Sequence, residues 1–404
     1  MSDALVPTYA RLPVRFERGA GAWLQDADGR NYLDALSGIA VCNLGHAHPE
    51  VARAIAAQAE TLVHTSNLYR VGLQEELAVD LCGLAGMEQA FFCNSGAEAN
   101  ETAIKLARRF GHQRGVERPT VAVMEGGFHG RTLGALAATG NPRAQEGFAP
   151  LPEGFRRIPF GDVQALEALA DDPSVVAVLL EPIQGEGGVV VPPAGYLGDA
   201  RRACDRHGWL LMLDEIQTGM GRTGRAFAFQ HEDIAPDVVT LAKALGNGVP
   251  MGACLVRGAA RGVLGPGSHG TTFGGNPLAA AAARKVVEIL QRERLPERAR
   301  ALGQHLRERL TRELREVPGI REIRGRGLMI GIELDRPAPE LPARALEQGL
   351  LINVTAESVV RLLPPLVLSD DDAERLVSSL GALLRAHQTE DSADHRGPGA
   401  PPAG

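Results

Sequence analysis

Five short runs of largely apolar residues mark the middle of the chain: QAFFCN (89–94), TVAVMEG (120–126), VVAVLLEP (175–182), WLLMLDE (209–215) and DVVTLAK (237–243). Polar and apolar residues do not alternate within them, which is the pattern of strands covered on both faces. Stretches with helical spacing lie between the runs: AEANETAIKLARRF (97–110), GRTLGALAATG (130–140) and PPAGYLGDARRACDRHG (192–208). Strand and helix in turn predict an α/β fold with a mainly parallel sheet wrapped by helices.

The flanks read differently. Near the start, GAWLQDADGRNYLDAL (21–36) predicts a hairpin turning at Asp28-Gly29. From about 285 to 317 the pattern is that of a long charged amphipathic helix, broken near Pro296. A smaller α/β unit follows, with strands in IREIRGRGLMIGIEL (320–334) and LLINVTAESVVRLLPPL (350–366) and a last helix over DDAERLVSSLGALLRAH (371–387). The closing QTEDSADHRGPGAPPAG has the composition of a disordered tail. The 404 residues suit two unequal domains or one large domain with an appendage, and no internal repeat is visible.

Composition narrows the function classes. The formal net charge is −7, and no long basic run points to nucleic acid. No apolar run reaches the roughly eighteen residues of a membrane span, and MSDALVPTYARLPVRFERG lacks a signal-peptide core. The five cysteines show no CxxC spacing and mostly sit in apolar runs, as reduced, buried thiols of a cytoplasmic protein do. Asp26 and Asp28 echo a calcium loop whose spacing then fails. His46 and His48 in GHAHP have no acidic or cysteine partners in sequence, so a loop, and no metal site, is expected.

In a doubly wound sheet, ligands bind beyond the carboxyl ends of the strands. Ser95-Gly96, Phe128-His129, Glu181, Asp214 and Lys243 all fall there. The chain has only three lysines; Lys105 and Lys285 suit the exposed faces of helices, and the other permanent cations are arginines. Lys243 instead ends an apolar run at a glycine-rich turn. It is either a snorkelling strand-end lysine or an amine that can lose its proton and react, as an arginine cannot. Asp214 ends a wholly apolar strand, where a lone carboxylate is costly unless it has a cationic partner. Ser95 and Glu98 have the spacing of a capping box, and the free N–H groups of Gly96 and Ala97 behind it suit a phosphate. Two glycine strings, GMGRTG (219–224) and GPGSHG (265–270), lack the strand–glycine–helix succession of a dinucleotide site, so a nucleotide-dependent oxidoreductase is the weaker reading. Pyridoxal phosphate needs a lysine, a carboxylate for the pyridinium nitrogen and a phosphate cradle. Phe128 is placed to cover one face of such a ring.

Those residues fall within familiar strings. NSGAEANE, FHGRT, EPIQGEGG, LDEIQTGMGRTG, LAKALGNGVPMGA, HGTTFGGNP and RLLPPL occur in this order, preceded by YARLPVRFERGAG and SNLYR. The chain resembles the class-III, fold-type-I pyridoxal-phosphate aminotransferases, and within them the acetylornithine subgroup. One departure is KALGNG where KGLGGG is more usual, at Ala244 and Asn247. The resemblance implies a fold of two parts: a large cofactor-binding domain at 61–295, and a small domain built from 1–60 and 296–386, with 387–404 as tail. It also implies that Lys243 attaches to the cofactor and shuttles protons, Asp214 keeps the ring nitrogen protonated, and Gln217 meets the ring hydroxyl. Gly96 and Ala97 would bind the phosphate, with Thr272 reaching in from a second subunit of an obligate homodimer. Phe128 would stack on the ring, Arg131 would take the distal substrate carboxylate with Thr271 beside it, and Arg361 would be a second carboxylate clamp that Glu186 masks. The implied activity moves the δ-amino group of acetylornithine to 2-oxoglutarate. Succinylornithine, ornithine, succinyldiaminopimelate and 4-aminobutyrate enzymes share the same residues, and a cofactor-binding scaffold is the non-enzymatic alternative.

Overall fold

The computed structural model of the protein describes residues 4–394, with side chains through residue 388. At the front, β1 (Phe16–Ala20), β2 (Trp23–Asp26) and β3 (Asn31–Asp34) form an antiparallel meander. The expected turn closes where Asp26 Oδ1 accepts the N–H groups of Asp28 (3.0 Å) and Arg30 (2.9 Å). Gly29 supplies the positive φ of 83° that the turn requires.

The central sheet has seven strands: β4 (Gln89–Cys93), β5 (Thr120–Met124), β6 (Phe155–Ile158), β7 (Val175–Leu180), β8 (Leu210–Asp214), β9 (Val238–Leu241) and β10 (Gly252–Val256). Their order is β4-β10-β9-β8-β7-β5-β6. The pairs from β9 to β6 are parallel, while β10 runs antiparallel to both β4 and β9, so the sheet is mixed. Every residue of β7 and β8 is buried. That two-sided cover is why their sequences carry no alternation. The apolar runs mark five of the seven strands. β6 (FRRI) and β10 (GACLV) were not expected, since one carries two arginines and the other starts with small residues after a proline.

The C-terminal part contains β11 (Ile320–Arg326), β12 (Met329–Leu334), β13 (Leu350–Leu351), β14 (Asn353–Thr355) and β15 (Val359–Leu362). Four of these make an antiparallel sheet, β11-β12-β15-β14. β13 instead pairs in parallel with β3, joining the front of the chain to its end. The long charged helix is two helices, Pro277–Arg292 and Leu295–Glu313. The break is at Arg294, whose φ is +52°, and Pro296 lies in the first turn of the second helix, where its missing N–H costs nothing. The last helix spans Asp370–Asp394 and so runs past the expected boundary at 387; residues 395–404 of the expected tail lie outside the described residues. Among the described residues no helix is long and apolar enough to cross a membrane.

Candidate active site

The carboxyl ends of the parallel strands open into a cavity of about 420 Å³. Ser95, Phe128, Glu181, Asp214, Gln217 and Lys243 are among the residues that line it. They come from the ends of different strands, and the common sheet direction brings them together.

Asp214 is the most firmly held group. It is 3% exposed. Oδ2 accepts from Asn100 Nδ2 (2.7 Å) and His129 Nδ1 (2.8 Å), and Oδ1 accepts the N–H of Ile216 (3.1 Å). Burial alone would push the His129 imidazole down; the hydrogen bond and charge of Asp214 outweigh it, and the net shift is upward. Asn100 is itself fixed, donating to the His129 carbonyl (2.8 Å) and accepting from Thr240 Oγ1 (2.8 Å). Nothing in the sequence singled out Asn100. It lies mid-helix, and its partners are far away along the chain. Beside this cluster, Glu181 accepts the N–H groups of Phe128 (2.8 Å) and Gly185 (3.0 Å), and burial, with the nearby Asp214 charge, pushes it up to about 7.

Lys243 follows β9 at φ +47°, a conformation that a side chain disfavours. Among the described residues its amine has no hydrogen-bond or ion-pair partner. Burial, assisted by the Arg361 charge, holds its ammonium below the usual lysine range, against the pull of Glu186, Asp214 and Glu181. That is the environment a nucleophilic amine needs, not that of a snorkelling surface lysine. The departure at Asn247 serves the same corner: its side chain accepts from the Leu44 N–H (2.9 Å) and donates to the Gly45 carbonyl (3.1 Å), tying the turn after Lys243 to the front of the chain.

The helix Gly96–Gln113 starts at the cavity wall. Ser95 Oγ accepts the Glu98 N–H (3.2 Å), as a cap should. The reciprocal half of the expected capping box is displaced by one residue: Glu98 accepts from the backbone and side chain of Asn94 (2.6 and 2.9 Å), not from the Ser95 N–H. A β-carbon at Gly96 would meet Ile216 Cδ1 at 2.8 Å, so a glycine is needed for the end of β8 to approach the helix start. Gly96 and Ala97 therefore present their N–H groups at the cavity, with the positive end of the helix dipole behind them.

Phe128 lines the cavity, and the Arg131 guanidinium lies 5.6 Å from its ring centre at the exposed mouth. Arg361, on β15, is fully buried and donates from Nη1 to Glu186 (2.7 Å) and to Gln217 (3.2 Å). Burial would raise the Glu186 carboxyl, but the charge and hydrogen bond of Arg361 dominate and hold it below the usual range. Thr271 and Thr272 do not line this cavity. Thr271 Oγ1 accepts from Asn94 Nδ2 (3.4 Å) and the Gly274 N–H (3.2 Å), while Thr272 is exposed.

The other candidates have structural partners. His46 Nε2 donates to Asp34 Oδ2 (2.7 Å), and its imidazole is raised to about 9 by that hydrogen bond and by Cys42. All five cysteines are free, with Cys42 only partly buried. The GMGRTG string forms a turn around the buried Arg222, which donates to the carbonyls of Leu328 (3.0 Å) and Pro364 (2.5 Å) and to Asn43. That residue, unmarked by the sequence reading, joins the front of the chain, the central sheet and the C-terminal sheet.

The cavity fits pyridoxal phosphate: a helix start with free N–H groups, a buried carboxylate held ready by neutral and imidazole donors, and an unpaired, desolvated lysine converge on it. Comparison with known proteins agrees. The family model "Aminotransferase class-III" matches residues 6–384. The acetylornithine aminotransferase of Nitrosomonas europaea is 54% identical over 378 residues, covering 93% of this chain and 96% of that protein. The one of Methanothermobacter thermautotrophicus is 45% identical, covering 94% and 96%. Among solved structures, the ornithine aminotransferase of Toxoplasma gondii superposes with a TM-score of 0.93 at 37% identity, covering 96% of this chain and 94% of that one. The N-acetylornithine aminotransferase of Stenotrophomonas maltophilia gives 0.83 at 38%, covering 95% and 98%.

Proposed function

The chain belongs to the class-III aminotransferases, and from that premise we propose that it moves the δ-amino group of N2-acetylornithine to 2-oxoglutarate. The products are N-acetylglutamate 5-semialdehyde and glutamate, a step of arginine biosynthesis. The observation that carries this reading is the convergence of Lys243, Asp214 and the helix start at Gly96 on one cavity. Bound there, pyridoxal phosphate supplies a carbonyl that condenses with amines and a ring that takes up electrons. The chain does the rest. Gly96 and Ala97 bind the phosphate through their N–H groups. Asp214, held by Asn100 and His129, keeps the ring nitrogen protonated. Lys243 Nζ anchors the cofactor, then accepts the proton from the substrate carbon and returns it. Phe128 and Gln217 hold the ring in place.

Two carboxylate clamps suit the two substrates. Acetylornithine reacts at its side-chain amine, so its carboxylate reaches out to Arg131 at the mouth. Glutamate reacts at its α-amine and needs a cation near the cofactor, which is Arg361 once Glu186 lets go. An acylated substrate is favoured by the lining. Its two carboxylates, Glu181 and Asp214, are already hydrogen-bonded, and Val41 and Met251 offer apolar surface. Nothing there is free to pair the α-ammonium of unacylated ornithine. Ornithine is the second reading, supported by the closer backbone match to an enzyme of that name.

We also propose a homodimer that shares its sites. Thr272 is exposed, beside Phe273 at 59% exposure and near the SNLYR segment, whose Asn67 donates to the Gly274 carbonyl (3.1 Å). Leu68 and Tyr69 in that segment are also exposed. These exposed side chains support the reading of a partner that meets this surface and receives Thr272 in its cavity.

The test is spectroscopic. N-acetylornithine added to cofactor-loaded protein without keto acid should convert the visible band of the lysine-bound cofactor to that of its amine form. Conversion by ornithine but not by acetylornithine would move the assignment to the second reading. No band with added pyridoxal phosphate would overturn the catalytic role of Lys243.

A further inference from the structure

Away from this site, the turn at Gly224–Arg225 and the helix Leu295–Glu313 enclose a second cavity of about 450 Å³. Arg225, Arg294 and Arg300 line it, with the amides of Gln230 and Gln291 and a single carboxylate, Glu297. The packing is close, because a β-carbon on Gly224 would meet the Arg300 Cβ at 2.9 Å.

The arginines here differ from the chain's ion-paired ones. Arg309 is held by Glu374 (2.6 Å), Arg201 by Asp237 (2.7 Å) and Arg292 by Glu50 (2.6 Å). Among the described residues, the Arg225 and Arg300 side chains have no hydrogen-bond or ion-pair partner. Arg294 has only a loose contact with Glu297 at 3.7 Å. Behind the cleft lies more positive charge, on Arg307 and Arg326, and burial together with that charge keeps a neighbouring histidine neutral. His231, bonded to the Thr223 carbonyl (3.0 Å), is held down to about 4 by burial and then by Arg326, Arg225 and Arg300. Arg307 is depressed by burial and then by Arg326. This concentration of positive charge occurs in a chain whose formal net charge is −7. Like charges gathered at the rim of a concave surface repel unless an anion joins them, and guanidinium forks suit phosphoryl oxygens.

We propose that this cleft binds a compact, multiply charged anion of the di- or polyphosphate type, held by Arg225, Arg294 and Arg300. The site is separate from the cofactor's phosphate cradle at Gly96 and Ala97. Its ligand would join the turn after β8 to the helix that packs on β11. The backbone already ties these parts together, since Leu328 N–H donates to the Arg222 carbonyl (2.9 Å). An anion there strengthens the attachment of the C-terminal sheet, which carries Arg361, to the sheet that carries Asp214.

The test uses the cofactor-loaded enzyme, so that the catalytic phosphate cradle is filled, with sodium pyrophosphate as the probe. Calorimetric titration at physiological ionic strength should show saturable binding of one pyrophosphate per chain, and the melting temperature should rise with it. Arg225→Ala/Arg300→Ala should weaken the affinity at least about tenfold and abolish the melting shift, with transamination unchanged. Arg131→Ala, which removes the cation at the catalytic mouth, should leave pyrophosphate affinity unaltered. The single variant Arg300→Gln, milder in its effect on packing, should fall between wild type and the double variant. Absence of saturable binding up to about 5 mM, or equal affinity in the double variant, would overturn the proposal. So would loss of binding in Arg131→Ala alone, because the probe would then be reporting the catalytic cavity.

Discussion

Asp214 and Arg361 are both buried charges beside the same cavity, and they are held in opposite ways. Asp214 has three donors: Asn100 on the helix Gly96–Gln113, and His129 and the Ile216 backbone in the loops directly after β5 and β8. Arg361 is fully buried too, yet its Nη2 has no partner. Its Nη1 relies on Glu186, whose side chain is 34% exposed, and on Gln217 at the longer distance of 3.2 Å. The first arrangement costs too much to rearrange. The second contains an acceptor that can turn toward water and a donor awaiting a partner. A transaminase that takes two unlike substrates in turn needs both kinds: a fixed half that handles the cofactor, and an adjustable half that sorts the substrates.

Changes in the fixed half should therefore act on every substrate alike. The largest effect is expected for Lys243→Ala, which removes the amine proposed to anchor the cofactor and move the proton. Turnover in a coupled assay should drop at least about a thousandfold with either amino donor. Residual activity within tenfold of wild type would place the chemistry on another group. Asp214→Asn comes next. It keeps much of the shape but removes the charge that holds a proton on the ring nitrogen, and should lower kcat about a hundredfold or more for both half-reactions. If only one half-reaction suffers, the division into fixed and adjustable halves fails.

A smaller effect concerns stability. Glu215 adjoins Asp214, accepts from Thr218 Oγ1 (2.5 Å) and the Phe229 N–H (2.9 Å), and is pushed up to about 7 by burial, against an ordinary value of 4.5. Between those two values the unfolded chain has released its proton while the folded one keeps it. Stability from this group is thus fully present below pH 4.5 and is lost as pH rises through about 7, by at most about 3 kcal/mol. Glu215→Gln stays neutral; its Oε1 can still accept the Phe229 N–H, and its Nε2 can donate to Thr218 Oγ1. Its melting temperature should fall less than that of wild type between pH 5 and 8. Parallel pH profiles would show that the carboxyl is already ionised in the fold.

The fixed half was largely legible in the sequence because it sits where apolar runs stop. Asp214 ends β8, and Lys243 and the Ser95-Gly96 turn each come two residues after the end of a strand, so strand direction alone gathers them. What supports them was not legible. Asn100 reads as one more polar residue in an amphipathic helix, and its importance arises only when β8 and β9 are laid beside it. Arg222 lay in a glycine string that the reading set aside as a false nucleotide motif. Its carbonyl and Asn43 partners come from segments remote in sequence. β10 escaped notice because GACLV is short and follows Pro250, although it separates β4 from the parallel strands. The pairing of Glu186 with Arg361 was an inference from the resemblance. No periodicity points to it, since the two residues sit in a loop and on a strand of different sheets.

That pair supplies the subtlest test. Glu186 accepts from Arg361 at 2.7 Å; under the proposed masking, the cavity would favour the substrate that does not need Arg361. On that proposal glutamate would break the pair before its carboxylate docks, and the partial exposure of Glu186 would give the displaced carboxylate a route to solvent. Removing the mask in Glu186→Ala leaves Arg361 buried without an ionic partner, which any substrate carboxylate will then satisfy. The glutamate half-reaction should stay intact or quicken. Acetylornithine should lose ground, because its carboxylate can now be drawn to Arg361 in place of Arg131, with the δ-amine misplaced. The expected outcome is a shift of about tenfold in the ratio of the two kcat/KM values, equivalent to about 1.4 kcal/mol. Single-turnover measurement of each half-reaction reads that ratio directly. An unchanged ratio would mean that Glu186 merely neutralises Arg361 and that the adjustable half of the site lies elsewhere. A fall in both half-reactions together, with lower thermal stability, would assign the pair to the fixed framework alongside Asp214.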